Sequence, residues 1–220
     1  LHDRGVDHIF GVPGDYALRF CALIERSPIV NVGTTREDGA GFAADTYARL
    51  RGLGAAHVTY CVGGFNITNP IAGAYAEKSP VVVISGAPGL RERTNNPLLH
   101  HKVRDFRTQM DVFQRLCSAG AELNDPAFAF REIDRILFAA ARYKRPVYLE
   151  LPRDMVNQSP SFGHTYQHPA QVSDQAAMNE AADEAAGLLS AAQRPVILAG
   201  VEVHRFGLQD ALLALAEQAQ

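Results

Sequence analysis

The sequence predicts an α/β fold: a doubly wound, mostly parallel sheet with helices on both faces, followed by the beginning of a second α/β domain. Three observations carry this. Short β-type runs alternate with helical patterns along most of the 220 residues. Val81-Val-Val-Ile84 and Pro146-Val-Tyr-Leu149 are continuously apolar, as expected of strands covered on both faces. The connections are short, which suits repeated βα units.

Taken in order, Leu1 to Asp7 lacks an initiator Met and reads as the tail of a helix already under way. Strands are expected at 8–12, 29–33, 57–62, 81–85, 117–122 and 147–151, and helices at 16–25, 38–50, 66–77 and 126–143. The last helix carries Phe130, Ile133, Ile136, Leu137 and Ala140 at 3/4 spacing, one apolar face, and Asp125-Pro126 reads as its N-cap followed by Pro at the first helical position. After Pro152 the texture turns polar and aperiodic, with Pro160, Gly163 and Pro169. The expected organisation is therefore a domain over 1–155, a linker over 156–174, and the truncated start of a Rossmann-like domain over 175–220. That last part should hold a helix at 175–191, a strand at 195–200 and a helix near Gly207, so the chain reads as a piece of a longer polypeptide.

Composition narrows the classes. Net charge is −3 with no basic cluster, so neither nucleic acid nor an anionic membrane is an expected partner. No apolar run reaches the roughly 18 to 20 residues that cross a bilayer. Cys21, Cys61 and Cys117 are far apart and odd in number, which suits buried free thiols in a reducing cytosol, and a cytoplasmic location is expected.

Ligands in open α/β sheets bind outside the C-terminal ends of strands, and four loops of that kind carry chemistry. Gly11-Val-Pro-Gly-Asp-Tyr16 is a tight turn presenting Asp15 at a helix start, where it also reads as a plain N-cap. Glu37 stands where a short apolar strand runs into the Gly/Ala-rich helix. There it reads either as a desolvated carboxylate that keeps or shares a proton, or as one favoured by the helix dipole. Val62-Gly-Gly-Phe-Asn66 lets backbone approach a flat ligand, although it is neither a GxGxxG nor a Walker loop. Pro97-Leu-Leu-His100-His101 brings adjacent histidines, which ordinarily point apart as an exposed pair. No Cys/His/Asp spacing suggests a metal site, and His164 and His168, four apart, lie in the expected linker.

Together these loops resemble the N-terminal, pyrimidine-binding domain of thiamine-diphosphate-dependent 2-oxo-acid decarboxylases, and within them the pyruvate, indolepyruvate and phenylpyruvate decarboxylase group. The resemblance runs in order from about His8 to Met155. It rests on Phe10-Gly-Val-Pro-Gly-Asp15, Glu37 with Ala40-Gly-Phe-Ala-Ala-Asp-Thr-Tyr-Ala-Arg49, and Thr59 with Val62-Gly63. It continues through Ala72-Gly-Ala-Tyr-Ala-Glu77, Pro80-Val-Val-Val-Ile-Ser-Gly-Ala-Pro88, His100-His101 and Arg145-Pro-Val-Tyr-Leu-Glu-Leu-Pro152. Gly200-Val-Glu-Val-His-Arg-Phe-Gly207 is similar to the start of the family's middle domain.

The resemblance implies that Glu37 hydrogen-bonds the aminopyrimidine ring nitrogen of thiamine diphosphate, with Thr59, Val62, Gly63 and Asn66 around that ring. It implies that Asp15, His100 and His101 relay the proton that lets an aldehyde leave after carbon dioxide. Acetolactate-synthase-like relatives share the Glu loop but generally lack the Asp/His-His set, so the resemblance sides with simple decarboxylation. An acetolactate-synthase-like carboligase and a non-catalytic pyrimidine-domain remnant are the alternatives. The chain departs from the group after the histidines: Lys102-Val-Arg-Asp-Phe106 replaces a Gly/Asp-rich stretch, which bears on the loop's conformation and the substrate's fit. The substrate expected is a small 2-oxo acid, an aromatic pyruvate ahead of pyruvate. The family's Gly-Asp-Gly…Asn segment for diphosphate and Mg2+ is not in this sequence, so the magnesium ligands are expected in a C-terminal domain. A homodimer or dimer of dimers is expected, with the active site at the subunit interface.

Overall fold

Val81, Val82, Val83 and Ile84 are all buried because alternate side chains of one strand enter two different helical layers. The computed structural model describes residues 1–160, 163–164 and 173–218. It divides the chain into two compact units, Leu1–Thr165 and Tyr166–Gln220. In the first, β1 (His8–Gly11), β2 (Val30–Gly33), β3 (Gly54–Val58), β4 (Val81–Ala87), β5 (Ala119–Glu122) and β6 (Val147–Pro152) form one parallel sheet. Its order is β2-β1-β3-β4-β6-β5.

The helices are α1 (Leu18–Ile24), α2 (Glu37–Arg51), α3 (Val62–Asn66), α4 (Thr68–Ala76), α5 (Thr108–Leu116) and α6 (Ala129–Tyr143). On one face of the sheet Ile24 of α1 and Ile136, Leu137 and Ala140 of α6 meet Val82, Ile84, Val147 and Leu149. On the other, Ala44 and Ala48 of α2, Ile71 of α4 and Phe113 of α5 meet Val81, Val83 and Tyr148. Each fully buried aliphatic of this kind contributes roughly 1.5–3 kcal/mol against exposure. The doubly wound parallel sheet expected from the sequence is thus the fold found.

Several boundaries differ, each for a physical reason. The third strand is Gly54–Val58 rather than 57–62. Small residues there let α2 close onto the sheet: a Cβ on Gly54 would lie 2.1 Å from the Ala44 carbonyl oxygen. The helix expected over 66–77 is two, α3 and α4, divided at Ile67. Pro70 has no N–H to donate to the Asn66 carbonyl, so one continuous ladder cannot form. Helix α5 was not expected at all, and α6 begins at Ala129, three residues late, because Asp125 closes a turn first by accepting from Ala127 N at 2.8 Å. Residues His2–Arg4 form a single 3-10 turn instead of a helix tail.

In the second unit α7 (Gln175–Ala191) is capped by Asp174, whose carboxylate accepts from Ala176 N and Ala177 N. Helices α8 (Val201–Arg205) and α9 (Gln209–Gln218) follow. The strand expected at 195–200 is not formed. No neighbouring strand offers it a ladder among the described residues, and Val196 and Leu198 stand 91% and 97% exposed. His168 and much of the expected linker lie outside the described residues.

Candidate active site

The strand order reverses between β1 and β3: α1 leads from β1 to β2 on one side, and α2 carries the chain back across to β3 on the other. A crevice at such a switch point, outside the carboxyl ends of the strands, is where ligands bind in this architecture. Three chain segments meet there. The β1 loop brings Asp15, the β2–α2 junction brings Glu37, and the β3 loop brings Thr59 to Gly63.

Glu37 is the first residue of α2, after Arg36 in extended conformation. Its Oε2 accepts a hydrogen bond of 2.6 Å from Asn66 Nδ2. Its Oε1 faces Gly63, where an added Cβ would lie 3.3 Å away and also crowd the Thr59 methyl at 3.2 Å. Only glycine leaves that space open beside the carboxylate. The carboxylate is half-buried in this chain, not sealed from solvent as the small neighbours led us to expect. The reason is geometric: Glu37 sits at the helix start, while the small residues Ala40, Ala44 and Ala48 line the buried side further along.

Asp15, His100 and His101 converge. His100 Nε2 lies 3.5 Å from Asp15 Oδ2, and the two imidazole rings are 3.6 Å apart, tilted by 33°. The adjacent histidines therefore face each other instead of pointing apart. His101 has φ +64, a left-handed backbone that turns its ring back onto its neighbour. Tyr16 Oη donates to the His100 carbonyl at 2.9 Å, tying the histidine loop to the β1 loop, and burial raises the Tyr16 pKa, which keeps its proton in place. The His101 Nδ1 is buried without a hydrogen-bond partner. Donor atoms of Asp15, His100 and His101 all lie within 4.8 Å of one another.

Thr59 joins the two groups. Its hydroxyl donates to Asp15 Oδ1 at 3.4 Å, while its methyl packs toward Gly63. Gly14 allows this, since a Cβ there would lie 2.5 Å from Thr59 Cβ. Val62 is half-exposed at the start of α3. Of the residues singled out from the sequence, Asp15, Thr59, His100 and His101 form one group of contacts and Glu37, Gly63 and Asn66 a second that the Thr59 methyl touches, with Val62 opening α3 beside it.

Two residues escaped the sequence reading. Lys102, in the departing stretch, clamps the histidine loop: its Nζ donates to Asn96 O, Asn96 Oδ1 and Pro97 O and lies 4.5 Å over the Phe106 ring. Gln109 of α5 is fully buried, and its Oε1 accepts from Cys61 N at 2.6 Å. A polar residue between Thr108 and Met110 gave no sign of this; only the unexpected helix brings it inward.

The family described as thiamine pyrophosphate enzyme, N-terminal TPP binding domain, matches residues 1–114. The chain is 47% identical over 220 residues to an indole-3-pyruvate decarboxylase of Azospirillum brasilense, covering 99% of the chain and 40% of that relative. It is 36% identical over 223 residues to a probable pyruvate decarboxylase of Schizosaccharomyces pombe, covering 99% and 39%. It is 34% identical over 224 residues to a pyruvate decarboxylase of Nicotiana tabacum, covering 99% and 36%. The chain spans about two-fifths of the length of these curated relatives.

Proposed function

The chain belongs to the thiamine pyrophosphate enzymes through their N-terminal binding domain, and from that premise we propose that it is part of a nonoxidative 2-oxo-acid decarboxylase. The reaction releases carbon dioxide and an aldehyde. The observation that carries this reading is the Asp15–His100–His101 group, linked through Thr59 to the Glu37 pocket. An aromatic pyruvate is the first choice of substrate and pyruvate the second. The identity of 47% to an enzyme named for indole-3-pyruvate, against 36% and 34% to two named for pyruvate, supports that order.

The residues present fit the aminopyrimidine end of thiamine diphosphate: a carboxylate, an amide beside it, and a space at Gly63 that a Cβ would fill. When bound, the cofactor supplies an electron sink that lets the bond between a carboxyl and its neighbouring carbonyl carbon break. Asn66 donates to Oε2 of Glu37, which would leave Oε1 free to hold a proton toward the ring nitrogen of a bound aminopyrimidine. Val62 and Gly63 would flank the ring, and Thr59 sets the distance between the two groups. Asp15, His100 and His101 hold and move the proton that replaces carbon dioxide on the product carbon. In this reading the diphosphate and its magnesium are held by another part of the enzyme, with oxygen ligands that the family resemblance puts in a C-terminal domain. The half-buried Glu37 and half-exposed Val62 suit a site completed across a dimer interface.

The test is product analysis on the full-length polypeptide with thiamine diphosphate, magnesium and an aromatic 2-oxo acid. Carbon dioxide and aldehyde should appear in equal amounts. In His100→Ala or His101→Ala the first turnover of carbon dioxide should persist while aldehyde release slows by about 100-fold. A ligated hydroxy-ketone as main product, or unaltered aldehyde release in both variants, would overturn the reading.

A further inference from the structure

The turn that carries the pocket is strained. Cys61, a non-glycine residue, has φ +50 and ψ −77 immediately before α3. Such a backbone persists only where its surroundings over-determine it. Two of its restraints are local: Phe65 N donates to Cys61 O at 2.6 Å and Gly64 N donates to Thr59 O at 3.1 Å. The third comes from across the domain. Cys61 N–H donates to Gln109 Oε1, and the same amide's Nε2 donates to Ser85 Oγ on β4 at 2.8 Å and to Tyr148 Oη on β6 at 2.5 Å. Tyr148 Oη in turn donates to Glu150 Oε2 at 2.8 Å. Gln109, Ser85, Tyr148 and Glu150 are all buried, so water cannot replace any of these partners.

The fit is also steric. A Cβ on Gly64 would lie 2.0 Å from Gln109 Oε1, so the second glycine of the pair makes room for the amide while the first, Gly63, makes room beside Glu37. One side chain of α5 therefore holds the backbone from which Val62, Gly63 and Asn66 project.

We propose that Gln109 is a positioning residue for the cofactor pocket, holding the Cys61 turn in the conformation that aligns Gly63 and Asn66 with Glu37. The proposal rests on the functional reading above. Without the amide, the turn relaxes toward unstrained conformations and the competent one becomes a minor state. Cofactor binding must then select that minor state, which weakens apparent affinity in proportion to its population and leaves the saturated enzyme normal.

The experiment compares wild type with Gln109→Met, which keeps the length and loses the hydrogen bonds, in the full-length polypeptide. The thiamine diphosphate concentration for half-activation should rise about tenfold, from a buried N–H left without its acceptor, while kcat at saturating cofactor stays within about twofold. Amide hydrogen exchange over 60–66 should quicken in the cofactor-free variant and return to the wild-type rate at saturation. Ser85→Ala, which removes one acceptor orienting the amide, should shift half-activation the same way by a smaller factor, and it decides the matter alone if Gln109→Met fails to fold. Wild-type half-activation in the folded variant, or a kcat that stays depressed at saturating cofactor, would overturn the proposal. A wild-type protein that gains neither activity nor bound cofactor defeats the functional reading instead. The exchange rates, measured without cofactor, still report whether Gln109 holds the turn.

Discussion

His57 sits in the middle of β3 with no exposed surface, its ring against Gly11 and edge-on to Phe20. Its Nε2 meets Asn31 Oδ1 at 2.9 Å and its Nδ1 faces Cys21 Sγ at 3.6 Å, so the neutral imidazole donates to the amide and accepts from the thiol. Burial lowers its pKa to about 4, from about 6.5 in an unfolded chain. Between those values the unfolded state binds a proton that the folded state refuses, so stability falls as pH drops from 6.5 to 4. Glu150 works oppositely: burial raises it to about 7, and the stability it contributes below its unfolded pKa is lost as pH rises through 7. Comparing wild type with His57→Gln isolates the histidine. In urea unfolding, wild type should lose about 3 kcal/mol more than the variant between pH 7 and pH 4, and parallel pH profiles would contradict this. From the sequence His57 was only the start of a strand; nothing in its neighbours marked it as a buried neutral base.

At the scale of elements, α2 matters most because its first residue is Glu37 and its body packs on β3. Small side chains bring the two close, and Gly54 is the tightest point, with the Ala44 carbonyl where a Cβ would go. Gly54→Ala should cost about 3 kcal/mol or prevent folding, since backbone must move to admit the methyl. Gly39, in the same helix with nothing within 4 Å of its missing Cβ, is the control: Gly39→Ala should stabilise by about 0.5–1 kcal/mol. Thermal or urea unfolding of the two variants checks the pair, and equal effects would contradict the packing account. This close approach also explains a misplaced boundary. Thr59-Tyr-Cys-Val62 has the higher β propensity, yet the strand is Gly54–Val58, because its thin start lets α2 dock and Thr59 to Cys61 then leave the sheet as the site's turn. Strands β4 and β6, apolar throughout and covered on both faces, were legible for the opposite reason. Helix α5 was not: it is nine residues long, and its buried face includes the polar Gln109.

In the whole molecule, the strand order reverses between β1 and β3, and the loops the sequence singled out follow the carboxyl ends of β1, β2, β3 and β4. Asp15, Glu37, Gly63 and the histidines were legible because short polar or glycine-bearing loops after apolar strands announce themselves. What tied them together was not: the Thr59 bridge, the left-handed His101 and the Lys102 clamp depend on distances between segments far apart in sequence. In the proposed function Glu37 Oε1 would present a proton to the aminopyrimidine ring of thiamine diphosphate. The most direct measurement is 2-oxo-acid decarboxylation by Glu37→Gln in the full-length polypeptide, with cofactor binding followed in parallel. Cofactor should still bind while turnover falls by about 1,000-fold, since the amide keeps the shape but cannot pass a proton. Turnover within a few-fold of wild type would contradict it.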